Sequence, residues 1–503
     1  MKKGRSTTLF ILSVIIIISL AFAGFRGIEI GGWEFKSFDK AAELTMISSN
    51  KIRTNANHRL KIKSTQLLKY AVVYGANASG KTNLALFFKF FKDSVCNGIP
   101  IEATQMFCKN RQENKERESS FEIQITVGDK FYAYGFSAVL SRRKVTGEWL
   151  YELYQNGSAK CLFEREGSKR PVLNDGITLT NTEKNKFETY ADDFEGNETS
   201  LFLTEMNRGK KYSTRSKLLF FRDVYDWIQN HISIITPDTP LIDLEYYYDD
   251  NSLKLINKLI KTFDTGISQV KIEEITLDEL SNALPKSVFD KMMQHVKNRM
   301  EEQEEPSFRM TMRSKETFFN IEVEGHSEPK VTTIRLHHNK SFYEFGFDEE
   351  SDGTRRLFDL MDMLLNKRED VLYVVDELER SLHPKLTERF LQLFMQLHDE
   401  QRMQLLFTTH ESSIMDQAIF RRDEIWFVER NAENASSIYS LDRFKERYDK
   451  VLSKAYLEGR YGAIPVFSTF DFARATSQMD VLAQTPDDCR DSAESISVPR
   501  EEE

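Results

Sequence analysis

Residues 72–84 read Val-Val-Tyr-Gly-Ala-Asn-Ala-Ser-Gly-Lys-Thr-Asn-Leu, an apolar run that breaks into a loop bounded by two glycines and closed by Lys-Thr. Gly75 and Gly80 allow the backbone to curl so that its N–H groups point inward, an arrangement that binds phosphate. Lys81 is expected to reach the β- and γ-phosphates of a nucleotide, and the Thr82 hydroxyl to bind Mg²⁺. A helix that begins near Lys81 adds the positive end of its dipole. The predicted nucleotide contacts are Gly75, Ala76, Asn77, Ala78, Ser79, Gly80, Lys81, Thr82 and Asn83.

Length and composition limit the class of protein. The chain has 503 residues, too many for one compact core, and its 78 acidic and 69 basic residues give a net charge of −9. This balance argues against a protein that coats nucleic acid by bulk electrostatics, although a local basic groove stays possible. Cys96, Cys108, Cys161 and Cys489 are widely spaced, so neither a zinc site nor a disulfide framework is predicted. A reducing cytosol fits this pattern.

The N-terminus gives a conflicting signal. Basic residues precede an apolar run at residues 9–22, and Ala-Phe-Ala at 21–23 resembles a cleavage site. Such an anchor would direct the chain outward, away from ATP. Three interpretations stay open: an anchor in unusual orientation, a segment covered by a partner, or an extension from a wrongly assigned start. We favour the last, because the first strand is expected only near Ile28, and we expect a cytoplasmic protein with inner-membrane association left open.

The hydrophobic pattern predicts an α/β fold. Alternation over residues 121–140 and 148–163 predicts an antiparallel sheet. Apolar residues at helix spacing over 253–300 predict a helical insertion, without the heptads of a long coiled-coil arm. Apolar runs at 371–375 and 404–408 alternate with helical patterns, which predicts a parallel sheet with crossover helices.

Five parts are expected along the chain. These are an apolar N-terminal segment, an N-terminal half with the phosphate loop and a β lobe, the helical insertion, a C-terminal half, and a polar tail expected to be disordered. Their expected bounds are 1–26, 27–240, 241–330, 331–466 and 467–503.

Two polar positions follow apolar strands in the C-terminal half. Asp376 and Glu377 end the strand at 372–375, and such a pair suits a Mg²⁺-dependent phosphate site, with Asp376 on the metal and Glu377 polarising the attacking water. His410 lies 34 residues after Asp376, and its neutral imidazole could reach a γ-phosphate. The alternative for the acidic pair is two exposed acids at the start of a helix. The alternative for His410 is a histidine whose hydrogen bonds are made with the backbone. The predicted catalytic residues are Lys81, Glu377 and His410, and the predicted metal ligands are Thr82 and Asp376.

A second anion site is predicted 25 residues before Asp376, in Glu350-Ser351-Asp352-Gly353-Thr354. A serine hydroxyl and glycine-exposed N–H groups at a helix N-terminus can bind phosphate. Taken alone, the same residues form an ordinary helix cap. Ser351 and Gly353 are therefore candidate nucleotide contacts.

With these motifs, the chain resembles the ABC-type ATPases, in the branch shared by structural-maintenance heads, recombination-repair ATPases and the bacterial phage-defence ATPases often labelled AAA family. The resemblance covers about residues 28–465 and implies a P-loop NTPase fold with an ABC-type head. In it the Walker A loop is 75–82, the signature 351–354, the Walker B pair Asp376 and Glu377, the D-loop 381–383 and the switch histidine His410.

The chain also departs from ABC transporters. It has Glu350 where transporters usually have Leu and Asp352 where they have Gly, and 270 residues separate Lys81 from Ser351. His338 and its neighbour are expected to form an ordinary polar turn. The Q-loop glutamine is left open between Gln105, Gln112 and Gln124.

The resemblance implies a dimer in which the Walker A loop of one copy and the signature of the other enclose each ATP with its Mg²⁺. The favoured role is the ATPase of a bacterial anti-phage defence system that controls a separate effector such as a nuclease, because no acidic cluster of a metal-dependent nuclease follows His410. A DNA-repair or DNA-end-binding clamp is the alternative, with basic residues at 142–144 and 208–211 as its candidate groove. A transporter subunit is less favoured. The trigger, the choice between ATP and GTP, and the oligomeric state above a dimer stay open.

Overall fold

The structure, a computed structural model, describes residues 30–32, 35–237, 250–301, 306–313, 318–444 and 451–465. The α-helices are α1 (Lys81–Asn97), α2 (Asn181–Asp193), α3 (Phe202–Asn207), α4 (Leu219–His231), α5 (Asp250–Ile260), α6 (Leu277–Ala283), α7 (Lys286–Glu301), α8 (Asp352–Leu365), α9 (Pro384–Leu397) and α10 (Leu452–Leu457). The strands are β1 (Ile30–Gly32), β2 (Arg59–Ile62), β3 (Thr65–Leu68), β4 (Tyr70–Tyr74), β5 (Ser119–Val127), β6 (Lys130–Val139), β7 (Lys144–Leu153), β8 (Ala159–Glu166), β9 (Val172–Leu173), β10 (Ile232–Ile235), β11 (Ile267–Ile275), β12 (Ser307–Arg313), β13 (Phe318–Glu324), β14 (Lys330–His338), β15 (Phe345–Gly346), β16 (Val371–Val375), β17 (Met403–Thr409), β18 (Ile425–Arg430) and β19 (Ser436–Ser440).

Several predictions concern residues outside these ranges. The N-terminal segment 1–26 and the tail 467–503 lie outside the described residues, so the expectations for them stay predictions. Within the ranges that the structure does describe, no helix is both long and apolar enough to cross a membrane.

The central sheet has the strand order β10-β16-β17-β4-β18-β19 and is parallel except for β19. Strands β4, β16 and β17 are buried at every position, as expected of a parallel sheet covered on both faces. Val375 pairs with Phe407, and Thr409 pairs with Tyr74, so these three strands end at the same edge. The predicted parallel sheet is confirmed, and its carboxyl edge brings together the loops that follow β4, β16 and β17.

Alternate residues of β4 enter two hydrophobic cores. Ala71 and Val73 pack in the core that contains α1 and the antiparallel sheet, whereas Val72 and Tyr74 pack in the core that contains α8, α9 and α10. This alternation follows from the two-residue period of a strand. The strand before the phosphate loop is therefore held from both faces.

The second sheet is antiparallel, in the order β1-β5-β6-β7-β8-β9, which confirms the predicted β lobe. Aromatic rings of α1 pack against it: Phe90 lies 4.8 Å from Phe121 and Phe91 lies 5.5 Å from Phe136, measured between ring centroids. Such pairs add to the burial of apolar area. Helix α1, which begins at Lys81, is thereby fixed between the two sheets.

The insertion contains a sheet that the sequence does not predict. Strands β11, β14, β13 and β12 form an antiparallel sheet in that order, and β15 also pairs with β14. The prediction of a continuous helical pattern over 253–300 is therefore wrong for β11. Its Lys and Glu residues favour helix, but Val270 and Ile272 alternate with them, and pairing with β14 decides the conformation.

The insertion sheet has two buried faces. Val270, Ile334 and Leu336 belong to the same core as α8 and α9. On the other face, Leu280 of α6 and Val296 of α7 belong to a small core of their own. We call residues 250–301, 306–313 and 318–338 the insertion lobe. Its sheet shares a hydrophobic core with α8, the helix that begins at the signature.

Candidate functional site

The phosphate loop joins β4 to α1, and its two glycines are sterically required. Gly80 precedes α1 with a φ of 108°, and a Cβ at this position would lie 2.6 Å from the hydroxyls of Ser37 and Ser436. A Cβ at Gly75 would lie 2.4 Å from the carbonyl oxygen of Val428. Both positions therefore exclude any larger residue.

Lys81 directs its charge into this loop. Its side chain is buried, and Nζ donates hydrogen bonds to the carbonyl oxygens of Gly75 at 2.8 Å and Ala76 at 3.0 Å. Burial lowers the pKa of Lys81 to about 8, although nearby carboxylates act in the opposite direction. The hydroxyl of Ser79 is buried in the same loop and has no hydrogen-bond partner among the described residues. A desolvated cation and an unpaired donor gain most from an anionic ligand.

Two serines from distant segments support the loop. The Ser436 hydroxyl donates to the carbonyl oxygen of Ser79 at 2.6 Å and shares a 2.6 Å hydrogen bond with the Ser37 hydroxyl. The amide of Asn83 donates to Ser37 at 2.7 Å. The sequence does not predict these roles, because Ser436 lies 357 residues from Ser79 along the chain. Ser37 lies in the short Phe-Lys-Ser-Phe stretch at 35–38.

The acidic pair is held by the neighbouring strand. The Thr408 hydroxyl donates to Asp376 Oδ1 at 2.6 Å and accepts the backbone N–H of Glu377 at 2.9 Å. Asp376 is buried, and Glu377 has a φ of 48°, a left-handed conformation that costs a non-glycine residue about 1–2 kcal/mol. The Arg356 guanidinium of α8 donates to the backbone carbonyl oxygen of Asp376 at 3.4 Å and to that of Glu377 at 3.3 Å. The strain at Glu377 is therefore held in place from two elements, a feature common at functional sites.

His410 follows β17 at the same edge. Its backbone N–H donates to Glu379 Oε1 at 2.6 Å. Burial, and then the charge of Lys81, lower the pKa of His410, while Asp376 acts in the opposite direction, so the imidazole is neutral at pH 7. Burial also raises the pKa of Glu379. Glu379 is an acid of the site that the sequence argument did not single out, although it stands two residues after Glu377.

The signature residues have local contacts of their own. The Ser351 hydroxyl accepts the backbone N–H of Thr354 at 3.1 Å, so it caps α8. A Cβ at Gly353 would lie 2.6 Å from the carbonyl oxygen of Ser381. Within the described part of the chain, the hydrogen bonds of Ser351 do not reach the phosphate loop. The structure thus brings Lys81, the acidic pair and His410 together, whereas the nucleotide contacts predicted for Ser351 and Gly353 stay a prediction.

The chain offers oxygen ligands of the kind that Mg²⁺ prefers. The Thr82 side chain is exposed at the start of α1, and Asp376 has a carboxylate oxygen beyond the one that Thr408 engages. Among the described residues, no group of three His, Cys, Asp or Glu side chains forms a metal site. One hydroxyl and one carboxylate fit a cation that completes its coordination with phosphate oxygens and water.

Comparisons with solved structures give distant matches. An Smc head bound to the C-winged helix domain of ScpA is 12% identical, with 82% of this chain and 98% of that chain covered and a TM-score of 0.35. The SMC head domain from Thermotoga maritima is 13% identical, with 83% and 99% covered and a TM-score of 0.36. An Smc head domain with an extended coiled coil, bound to the C-terminal domain of ScpA and derived from Pyrococcus furiosus, is 13% identical, with 87% and 99% covered and a TM-score of 0.31.

A comparison with curated proteins finds no match. A protein-family model described as "AAA domain, putative AbiEii toxin, Type IV TA system" matches residues 71–416, a stretch that starts in β4 and ends after His410. It therefore includes the phosphate loop, the signature segment and the acidic pair, and it covers more than half of the 503 residues. The chain belongs to this family of AAA-type ATPase domains.

Proposed function

We propose that the protein binds and hydrolyses ATP and works as a switch that ATP closes and hydrolysis opens. The observation that carries this proposal is the position of Lys81. Its buried ammonium points into the phosphate loop, and the carboxylates of Asp376, Glu377 and Glu379 influence its pKa. A cation, acids and a neutral histidine at one edge of a parallel sheet are the groups that phosphoryl transfer to water requires.

Each residue has a distinct part in the proposed reaction. Lys81 and the loop N–H groups hold the β- and γ-phosphates. Thr82 and Asp376 hold Mg²⁺, which when bound neutralises charge on the phosphate oxygens. Glu377 orients the attacking water and accepts its proton, and neutral His410 can donate a hydrogen bond to the γ-phosphate. Thr408 keeps Asp376 and Glu377 in position for these roles.

A second copy of the chain completes the proposed site. Ser351 and Gly353 stand at the N-terminus of α8, a helix of 14 residues whose dipole favours an anion. Gly353 packs against the Ser381 carbonyl, and Ser351 is exposed, so this helix end can meet the ATP of a partner. In a twofold dimer each copy then supplies one phosphate loop and one signature to each site.

For the biological role, we propose the ATPase component of a bacterial anti-phage defence system. Support comes from the family description, which names a toxin of a type IV TA system. We assign the damaging chemistry to a separate effector protein. Phage plating on cells with the intact system, with a Lys81→Ala variant and without a neighbouring nuclease-like gene tests this role. Full protection after either change would contradict it.

The alternative of a DNA clamp receives no support from its candidate groove. Arg142 pairs with Glu116 at 2.5 Å, and Lys144 pairs with Glu198 at 2.8 Å. In the second basic stretch, Lys210 pairs with Glu205. Three of the six cations in these stretches are therefore paired with acids of the same chain, which reduces the charge that the candidate groove offers to phosphates.

The proposed reaction is tested by ATP hydrolysis of the full-length protein. We expect Mg²⁺-dependent release of phosphate that Lys81→Ala abolishes and Glu377→Gln strongly slows. Equal phosphate release by the parental protein and the Lys81→Ala variant would refute the assignment of this loop.

A further inference from the structure

The strand that leads into the signature belongs to the insertion sheet. β15 pairs with β14, with Phe345 opposite Leu336 and Gly346 opposite Arg335. The chain reaches Ser351 only five residues after Gly346. A displacement of β14 would therefore be passed to the signature through a short connection.

A side-chain pair reinforces this connection. His338, at the end of β14, places Nε2 2.6 Å from Oε1 of Glu350, the residue directly before Ser351. Glu350 is 8% exposed, so this contact holds a buried carboxylate. The prediction of an ordinary polar turn at His338 is wrong, because the residue ends a strand and its ring is bonded to the signature segment.

The surroundings fix the His338 ring. Phe345 lies edge-on to it, with the ring centroids 4.9 Å apart. On another side, Gly266 has a φ of 80°, and a Cβ there would lie 3.3 Å from His338 Nδ1. The His338 side chain is 27% exposed, and its bonded nitrogen together with the neighbouring Phe345 and Gly266 restricts the ring, so a shift of β14 is passed on to Glu350.

We propose that His338 and Glu350 couple the insertion lobe to the signature. When a ligand binds the insertion lobe and rearranges it, the placement of Ser351 and Gly353 changes. The rate at which ATP is hydrolysed between two copies of the chain changes as a consequence. His338 and Glu350 are positioning residues, since their contacts lie outside the phosphate loop. The inference rests on the proposed ATP-dependent dimer and adds to it the route by which that dimer is regulated.

The test compares ATP binding with ATP turnover in the full-length protein. His338→Ala and Glu350→Leu each remove the contact, and we expect kcat to fall about tenfold, which corresponds to about 1.4 kcal/mol. The Kd for ATP, measured with a fluorescent ATP analogue, should stay within about twofold, because the phosphate loop is untouched. Combining the two changes should lower kcat no further than either alone, because both remove the same interaction.

Two variants control for loss of packing. Glu350→Gln keeps an oxygen that can accept from Nε2–H, and we expect it to retain most of the parental kcat. Lys330→Ala removes an exposed ion pair with Glu274, 3.2 Å long, from the other end of β14, and we expect parental kcat. If Glu350→Leu does not fold, the comparison of His338→Ala with Glu350→Gln still decides.

The possible outcomes separate this inference from the proposed function. Parental kcat in His338→Ala and Glu350→Leu would overturn the coupling, and so would a double variant whose loss is the product of the single losses. An equal loss of kcat in Lys330→Ala would also overturn it. If the parental protein hydrolyses ATP no faster than Lys81→Ala, the proposed function itself fails.

Discussion

The two edges of the central sheet both bury charged side chains, but they satisfy them differently. At the amino edge, where β4 and β18 begin, Arg421 is fully buried and donates to both oxygens of Asp423, at 2.9 Å and 2.8 Å. It also donates to the carbonyl oxygen of Thr54 at 2.7 Å. Glu424 accepts the backbone N–H of Arg421 at 2.8 Å and contacts His58 Nδ1 at 3.0 Å. This cluster is complete within the chain.

At the carboxyl edge the buried charge is left short of partners. Lys81 donates only to neutral carbonyl oxygens and forms no ion pair among the described residues. Ser79 has an unpaired hydroxyl, and Glu377 has a strained backbone. Since unpaired buried groups are costly, they persist where a ligand satisfies them. Lys69 at the amino edge is also buried and donates to the carbonyl oxygen of His398, so a buried cation alone does not mark a site. What distinguishes the carboxyl edge is that its buried cation lies in a glycine-bounded loop, close to an acidic pair and a histidine.

The largest expected difference between the edges is in ligand binding. Lys81→Ala should lower ATP affinity about a thousandfold, since two charged hydrogen bonds contribute about 1.5–3 kcal/mol each. The free energy of unfolding should stay level or rise, because a desolvated cation is removed. Calorimetric titration and urea denaturation measure the two quantities. If Lys81→Ala lowered the free energy of unfolding by as much as it weakened ATP binding, the two edges would respond to the loss of a buried cation in the same way.

Arg421→Ala should show the opposite pattern. Removing one partner from a buried ionic network costs about 3–5 kcal/mol of stability, because Asp423 is left buried and unpaired. The combined change Arg421→Met with Asp423→Leu should cost less than Arg421→Ala, since no unpaired charge remains. The free energies of unfolding of the parental protein and the two variants, taken from denaturation curves, test this prediction. A value for Arg421→Ala within about 1 kcal/mol of the parental value would show that the cluster is dispensable.

A pH-dependent loss of stability is expected at the amino edge from His398. Burial lowers the pKa of His398, whose Nε2 bonds to the carbonyl oxygen of Met363 at 2.7 Å. Below about pH 6.5 the unfolded chain therefore takes up a proton that the folded chain refuses, so the free energy of unfolding falls with falling pH by at most about 1.4 kcal/mol per unit. His398→Gln should reduce this slope between pH 6.5 and 5. An unchanged slope in denaturation experiments would mean that the histidine is protonated in the fold.

The smallest expected effect concerns the support of the phosphate loop. Ser436→Ala removes hydrogen bonds to Ser79 and Ser37, which should raise the KM for ATP about fivefold, equivalent to about 1 kcal/mol. The neighbouring Ser437 is exposed, and Ser437→Ala is the matched control with parental kinetics. If both variants have the same KM, the serine network does not order the loop.

Local motifs could be predicted from sequence, because adjacent residues supply the chemistry. The phosphate loop and the acidic pair each follow a buried strand directly, so the strand pattern places them at one edge. Thr408 and Ser436 could not be predicted as partners, because register between distant strands decides their contacts. β11 is wrongly predicted because its Lys and Glu residues favour helix until β14 pairs with it.

The most direct test of the ATP switch is the assembly state of Glu377→Gln. This variant should bind ATP and Mg²⁺ but turn over about 10²–10⁴ times more slowly, because the residue that accepts the proton is lost. Analytical ultracentrifugation with ATP and Mg²⁺ should then show a stable dimer that Lys81→Ala and Ser351→Arg each prevent. A Glu377→Gln protein that binds ATP and keeps the same sedimentation coefficient with and without it would contradict the account.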